Sequence, residues 1–300
     1  NNEAISNTDD LWWPGSPGTR VTTSDCLLLL SSQYYLDSSP TQPFYPFGCH
    51  KQWYTICEYP IVDTCVCGTV NRVQLIVGGI TTEENEYPWQ VALVAQDSNF
   101  VNCGGSLIND RWVLTAAHCT GGVATQVLLG NHYINQIDSA EMRVNIKTVV
   151  NHPYYNRTTI ENDFALVELE TPLDLEAVAP HIRPVCLPSA INPSQYEDVE
   201  AIVTGWGQNS TYGSLSHVLQ EVTLTTMNNS ECQRLHGDLH TIVSPMICAT
   251  KPGQGACYGD SGGPMVRDVG SYFNLIGVVS FGYGGCAHAR NPSVFARITD

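Results

Sequence analysis

From residue 76 onward, apolar residues come in short runs separated by Gly, Pro and Asn. Runs of this kind, closed by turn formers, predict strands at 90–95, 112–115, 126–129, 164–169, 200–204 and 275–280. One stretch, 228–236, predicts a short helix. Strands do not alternate with helices, which argues against a doubly wound or TIM-type parallel sheet and for an all-β architecture. Residues 1–75 differ. They are rich in Ser, Thr, Pro and aromatics, sustain no helical period and alternate little. They also carry Cys26, Cys49, Cys57, Cys65 and Cys67. The pattern divides the chain into a Cys-containing segment of unknown fold, 1–75, and a β-rich domain, 76–300.

Composition narrows the class. The chain has 300 residues, 43% hydrophobic and 14% charged, enough apolar material for a sizeable core. Its formal net charge is −16, from 13 Lys and Arg against 29 Asp and Glu. Phosphate recognition needs a basic surface, so nucleic acid is not expected as a partner, nor is an anionic membrane. No apolar run reaches the ~18 residues of a membrane span. The sequence starts at Asn1 without a signal-peptide pattern and reads as a processed or truncated product, which says nothing against secretion. Its 12 cysteines are spread along the whole chain and contain no CxxC pair. That pattern points to disulfides in an oxidising compartment rather than to zinc. Sequons at Asn156, Asn209 and Asn228 agree with a secreted glycoprotein.

Three segments carry chemistry: Leu114-Thr115-Ala116-Ala117-His118-Cys119, Glu161-Asn162-Asp163-Phe164-Ala165-Leu166 and Gly259-Asp260-Ser261-Gly262-Gly263-Pro264. A serine hydroxyl is a poor nucleophile at neutral pH. It needs a base to take its proton, and the base needs an anion to fix its tautomer. Ser261, His118 and Asp163 supply those three groups. Gly259 lets the chain turn so that its N–H and that of Ser261 converge on one small space, an oxyanion hole. Taken singly, each segment has a bland reading: a core histidine, a tight turn, a strand cap. The combination in one chain requires all three to coincide.

Those segments, with Ile76-Val77-Gly78-Gly79, Tyr87-Pro88-Trp89-Gln90-Val91, Cys103-Gly104-Gly105-Ser106, Thr204-Gly205-Trp206-Gly207 and Val279-Ser280-Phe281-Gly282, resemble the chymotrypsin-fold serine proteases over about three-quarters of the chain. The resemblance implies two six-stranded antiparallel β-barrels with the site between them. It implies that Ser280 hydrogen-bonds Asp163 and that residues 280–282 pair with the substrate backbone. It implies disulfides joining Cys103 to Cys119, Cys232 to Cys248 and Cys257 to Cys286, with Cys186 holding the N-terminal segment through Cys67 or Cys65. That segment is expected to be a pro-region, too short for a complete CUB module but compatible with the tail of one. Cleavage between Leu75 and Ile76 would free an amine that pairs with Asp260.

The same resemblance places a pocket for the residue before the scissile bond on Gly255, Ala256, Ser280, Phe281, Gly282 and Ser293. Gly255, in place of an acid, argues for apolar partners: Leu, Met, Phe or Tyr. The loop 131–141 resembles a calcium loop, with Asp138 and Glu141 as carboxylates, Tyr133 and Gln136 as carbonyls, and Asn131 in place of the usual first acid. No cofactor is otherwise required. The family's closing helix would start where the chain ends, so it is expected to be missing. The expected function is a secreted zymogen-derived endopeptidase acting on proteins and peptides and met by protein inhibitors. Its alternatives are a catalytically silent binding homologue and a trypsin-like processing protease.

Overall fold

The computed structural model describes residues 67–71, 80–122, 124–188, 193–286 and 291–298. Strand β1 (Ile80–Thr81) leads in and pairs with residues 220–221. The first barrel follows: β2 (Gln90–Val94), β3 (Val101–Leu107), β4 (Trp112–Thr115), β5 (Gln126–Leu129), β6 (Met142–Asn151) and β7 (Ala165–Leu169), closed in the order β2-β3-β4-β7-β6-β5. The second comprises β8 (Glu200–Gly205), β9 (Gln220–Met227), β10 (Met246–Thr250), β11 (Pro264–Asp268), β12 (Phe273–Phe281) and β13 (Ser293–Arg297). Its order is β9-β10-β13-β12-β11-β8, and a β8–β9 pairing closes the ring. Every pairing between these strands is antiparallel. The expected pair of closed six-stranded barrels is therefore what the chain forms, and closure leaves no long exposed strand edge.

The sequence explains why these strands form. β2 and β7 are buried at every position, so both of their faces demand apolar side chains. Leu93, Leu107, Val113, Leu128 and Leu166 fill the first barrel. Val203, Leu224, Ile247, Met265, Ile276 and Phe295 fill the second. Helix α1 (Leu175–Val178) starts at Asp174, whose carboxylate accepts from Ala177 N. Helix α2 (Asn229–His236) starts at Asn228, whose Oδ1 accepts from Glu231 N at 2.8 Å. It lies within the stretch expected to be helical.

Buried polar bonds join the barrels. The Thr204 hydroxyl donates to Gln90 Oε1 at 2.5 Å, and Trp206 Nε1 donates to the His132 carbonyl at 3.0 Å. The end of the N-terminal segment is fixed on this body. Cys67 is bonded to Cys186. Gly68 N donates to Pro184 O, and Gly68 O accepts from Phe273 N. Asn71 N donates to Glu86 O, while its side-chain amide donates to Asn85 O at 2.8 Å and Pro180 O at 3.0 Å. The boundary at residue 75, the Leu75-Ile76 bond, the fold of 1–66 and the expected loss of a C-terminal helix all lie outside the described residues.

Candidate active site

His118 sits in a single helical turn, Ala117–Cys119, directly after β4. Two fixed points hold this turn. Cys119 is bonded to Cys103 on β3. The buried Thr115 hydroxyl donates to Gly104 O at 2.8 Å. Asp163 lies just before β7 and is 1% exposed. Its Oδ1 accepts from the His118 backbone N–H at 2.9 Å. Its Oδ2 accepts from His118 Nδ1 at 2.7 Å and from the Ser280 hydroxyl at 2.6 Å. An ionised carboxylate only accepts, so Nδ1 carries the proton and Nε2 presents a lone pair. Three donors satisfy this one buried carboxylate.

Ser261 comes from the second barrel, in the turn before β11. Its carbonyl accepts from Gly104 N at 2.7 Å, which stitches the turn to β3. Gly262 has φ +78°, and a Cβ there would lie 2.2 Å from Thr115 Oγ1 and 3.2 Å from Cys119 Sγ. The same sulfur is 3.8 Å from His118 Nε2. The residue after Ser261 and the basic nitrogen of His118 therefore share one neighbour. Only glycine allows the two barrels to approach this closely at that point. Gly259 precedes Ser261 by two residues, also at positive φ.

Asp260 points the other way. As a residue it is half-buried, with its carboxyl turned into a cavity of about 200 Å³. Oδ1 accepts from Gly207 N and Oδ2 from Cys257 N, each at 2.8 Å. A Cβ on Gly207 would come within 2.4 Å of this carboxyl, so a side chain there would exclude it. Burial pushes the Asp260 pKa up to about 6, and the two N–H bonds pull weakly against it.

A separate cavity of about 210 Å³ opens beside Ser261. Ala256, Ser261, Ser280, Phe281, Gly282 and Ser293 all line it. Among the described residues that line it, none carries a formal charge. Gly255 stands between Gln254 and Ala256, which both line this cavity, and itself borders the Asp260 cavity. Gln254 N closes a turn onto Lys251 O at 3.0 Å, and Gly253 takes φ +75°. Sequence reasoning missed Thr250, Gln254, Tyr258 and Asn291 in this wall. Tyr258 carried a signal, as a large aromatic three residues before Ser261, and it is 62% exposed at the rim.

The disulfides Cys103–Cys119, Cys232–Cys248 and Cys257–Cys286 brace the His118 turn, tie α2 to β10 and cross the cavity wall respectively. Cys186 takes Cys67 as its partner. The sequon residues Asn156 and Asn209 are exposed on loops, and Asn228 caps α2.

Two antiparallel barrels with a carboxylate-backed histidine and a serine meeting at their seam define a serine hydrolase of the chymotrypsin fold. The trypsin family profile matches residues 76–300, and the chain belongs to that family of serine endopeptidases. It is 38% identical over 241 residues to serine protease 1 of Rattus norvegicus, covering 79% of this chain and 91% of that protein.

Proposed function

We propose that Ser261, His118 and Asp163 hydrolyse peptide bonds after Phe, Tyr, Leu or Met in an enzyme made as a zymogen and secreted. The observation that carries this reading is the hydrogen-bonded chain Ser280–Asp163–His118 beside a neutral cavity at Ser261. His118 Nε2 takes the Ser261 proton as its oxygen attacks the scissile carbonyl. Asp163 keeps Nδ1 protonated and stabilises the imidazolium that forms. The N–H groups of Gly259 and Ser261 receive the developing oxyanion. The proton then passes from His118 to the leaving amine, and water reverses the sequence to release the acid.

The cavity sets the preference. A buried Lys or Arg side chain there would lack a carboxylate partner, a loss of several kcal/mol. The Asp260 carboxyl serves the other cavity. Ser293 shortens the pocket and Gly282 leaves its mouth open. Protein inhibitors that present an apolar residue would fit the same cleft. Secretion is supported by four disulfides among the described residues. No described helix is long and apolar enough to cross a membrane. Glycans at Asn156, Asn209 and Asn228 fit the same route. The test is a substrate series differing only before the scissile bond. We expect kcat/KM for Phe, Tyr, Leu and Met to exceed that for Lys and Arg by at least about 10³-fold, the equivalent of ~4 kcal/mol. A preference for Lys or Arg would sink the pocket assignment.

Activation follows from the second cavity. An Ile76 amine freed at the Leu75-Ile76 bond would pair with Asp260 and shape the oxyanion hole. A cut after Arg72 leaves Val73, Gln74 and Leu75 attached and displaces the amine by about 10 Å of extended chain. Leu75 is a residue the neutral pocket accepts, so mature enzyme opens its own precursor. Upstream chain would stay attached through Cys67 and the Asn71 hydrogen bonds. A Ser261→Ala precursor given a trace of mature enzyme should acquire an amino terminus reading Ile76-Val77-Gly78. Full activity with an amino terminus at Val73 would refute the account of Asp260.

The raised Asp260 pKa gives a pH signature. In the uncut chain residue 76 has no free amine, and burial makes the folded state hold the Asp260 proton more tightly than the unfolded chain does. Its stabilising contribution is complete below the ordinary value of 3.8 and is lost as pH rises through about 6. Cleavage supplies an ammonium that favours the charged carboxylate. The Tm of the cleaved protein should therefore gain on that of the precursor between about pH 5 and 7. The gain should fade at alkaline pH as the α-amine, with a free pKa of ~7.7–8.0 raised by its partner, loses its charge. Asp260→Asn should flatten the difference. An unchanged difference in that variant would show that another group is responsible.

A further inference from the structure

The loop 131–141 carries an arrangement that no catalytic role uses. Calcium takes six to eight oxygens, charged carboxylates among them. Both Glu141 oxygens, one Asp138 oxygen and the Tyr133 carbonyl are already engaged. Glu141 Oε2 accepts from the Asn131 side-chain amide at 2.7 Å, and Glu141 Oε1 accepts from Arg143 Nε at 3.0 Å. Asp138 Oδ2 accepts from the backbone N–H groups of His132 at 2.5 Å and Tyr133 at 2.8 Å. The Tyr133 carbonyl accepts from Gln136 N. Asn131 Oδ1 is buried without a partner, a single neutral oxygen. These residues do not fit the calcium ion that the family resemblance implies: a divalent cation on Glu141 would have to sit against a guanidinium.

We infer that the Arg143 guanidinium acts as a built-in cation that closes this loop in place of a metal. The pair is well shielded. The Glu141 side chain is 5% exposed and that of Arg143 25%, so water screens their attraction less than on an open surface. Arg143 also reaches beyond the loop. Its Nη1 donates to Ser98 O at 2.9 Å, and its Nη2 donates to Asn99 Oδ1. Guanidinium is suited to this because its planar fork offers donors in several fixed directions at once. One side chain thereby staples 131–141 to the turn that leads into β3, the strand whose Gly104 holds the Ser261 turn. A bound ion could fold its own loop, but Arg143 also ties that loop to a second one. The enzyme's stability should then be indifferent to calcium and sensitive to Arg143.

Thermal unfolding of the Ser261→Ala precursor, where self-digestion cannot intrude, reads this directly. We expect the same Tm, within about 1 °C, in EDTA and in millimolar calcium; a tightly bound ion would raise it by several degrees. Arg143→Gln should lower Tm by several degrees in both buffers, and calcium should not restore it. Arg143→Lys, which keeps the charge but loses the fork, should fall between. Terbium serves as a second probe that needs no variant. Trp206 donates to His132 O in this loop and would sensitise a bound ion. Unaltered protein should give no saturable emission. Asn131→Glu combined with Arg143→Gln, which restores an acid and removes the cation, should give emission that calcium displaces. A calcium-dependent Tm, or calcium-displaceable terbium emission, in the unaltered protein would overturn the inference. So would an Arg143→Gln protein as stable as its parent.

Discussion

Ser261→Ala in the cleaved enzyme should lower kcat on peptide substrates by on the order of 10⁶, and His118→Ala by about as much. Removing either residue stops the same step. The remaining rate comes from binding and from backbone donors at the oxyanion site, so the double substitution should add little to the single ones. Asp163→Asn should cost about 10⁴-fold. Its mechanism differs. An Asn can present its amide to Nδ1 and flip the tautomer, which puts the imidazole proton on Nε2 where a lone pair is needed. Asp163 accepts from His118 N–H, His118 Nδ1 and Ser280 at once, so the fold has arranged three donors that only a carboxylate satisfies. Ser280→Ala removes one of them and should cost far less, leaving Nδ1 correctly paired. Equal losses for Asp163→Asn and Ser280→Ala would show that the carboxylate's role is packing rather than tautomer control. The measurements are kcat from initial rates at known protein concentration and Tm, which confirms that each variant folds.

Gly282→Val should change what the pocket accepts. A Cβ at Gly282 meets no atom of the described residues within 4 Å, so a larger side chain there starts without a packing conflict among them. Gly282 lines the cavity beside Ser261, and the branched side chain would occupy its mouth. Excluding an aromatic side chain forfeits ~1.5–3 kcal/mol of burial, so kcat/KM for Phe and Tyr substrates should fall about 10- to 100-fold. Substrates with Ala before the scissile bond, which need no depth, should be nearly unaffected. A uniform fall across both would mean that the backbone at 280–282 had moved, and a uniform absence of effect would place the pocket elsewhere.

Different physical causes decided which elements could be read from the sequence. β2, β4, β5 and β7 appear as plain apolar runs because most or all of their residues are buried. β6 was missed for a reason visible in its register. Met142, Val144 and Ile146 alternate with polar residues, but the pairing shifts between Ile146 and Thr148, and Val149 then faces outward at 40% exposure. One irregularity breaks a period-two pattern in mid-strand. β9 is masked by its threonines, half of it reading as a polar segment. The His118, Asp163 and Ser261 segments stood out because each has a distinctive local sequence that the seam between barrels requires.

Ala256, Ser280, Phe281, Gly282 and Ser293 line one cavity, as their positions suggested. Gly255 borders the Asp260 cavity while its neighbours Gln254 and Ala256 line this one, a division that counting along the chain does not reveal. The neutral character of the pocket rests on the side chains that line it. The loop 131–141 shows a third kind of limit. Its acids resemble ligands, and nothing in their spacing reveals that Arg143, two residues beyond Glu141, has turned back to hold one of them. Which oxygens are already satisfied is a three-dimensional property.

The most direct test of the central claim is labelling by a fluorophosphonate, which reacts with a serine only when a base and an oxyanion site are both in place. Precursor and cleaved enzyme would be treated in parallel, and the adduct located by mass spectrometry. The expected result is one adduct on Ser261 of the cleaved form, at least about 100-fold slower in the precursor and absent from His118→Ala. Cleaved protein with an amino terminus at Ile76 and no adduct on Ser261 would contradict the account, and would point instead to a binding protein built on a protease fold.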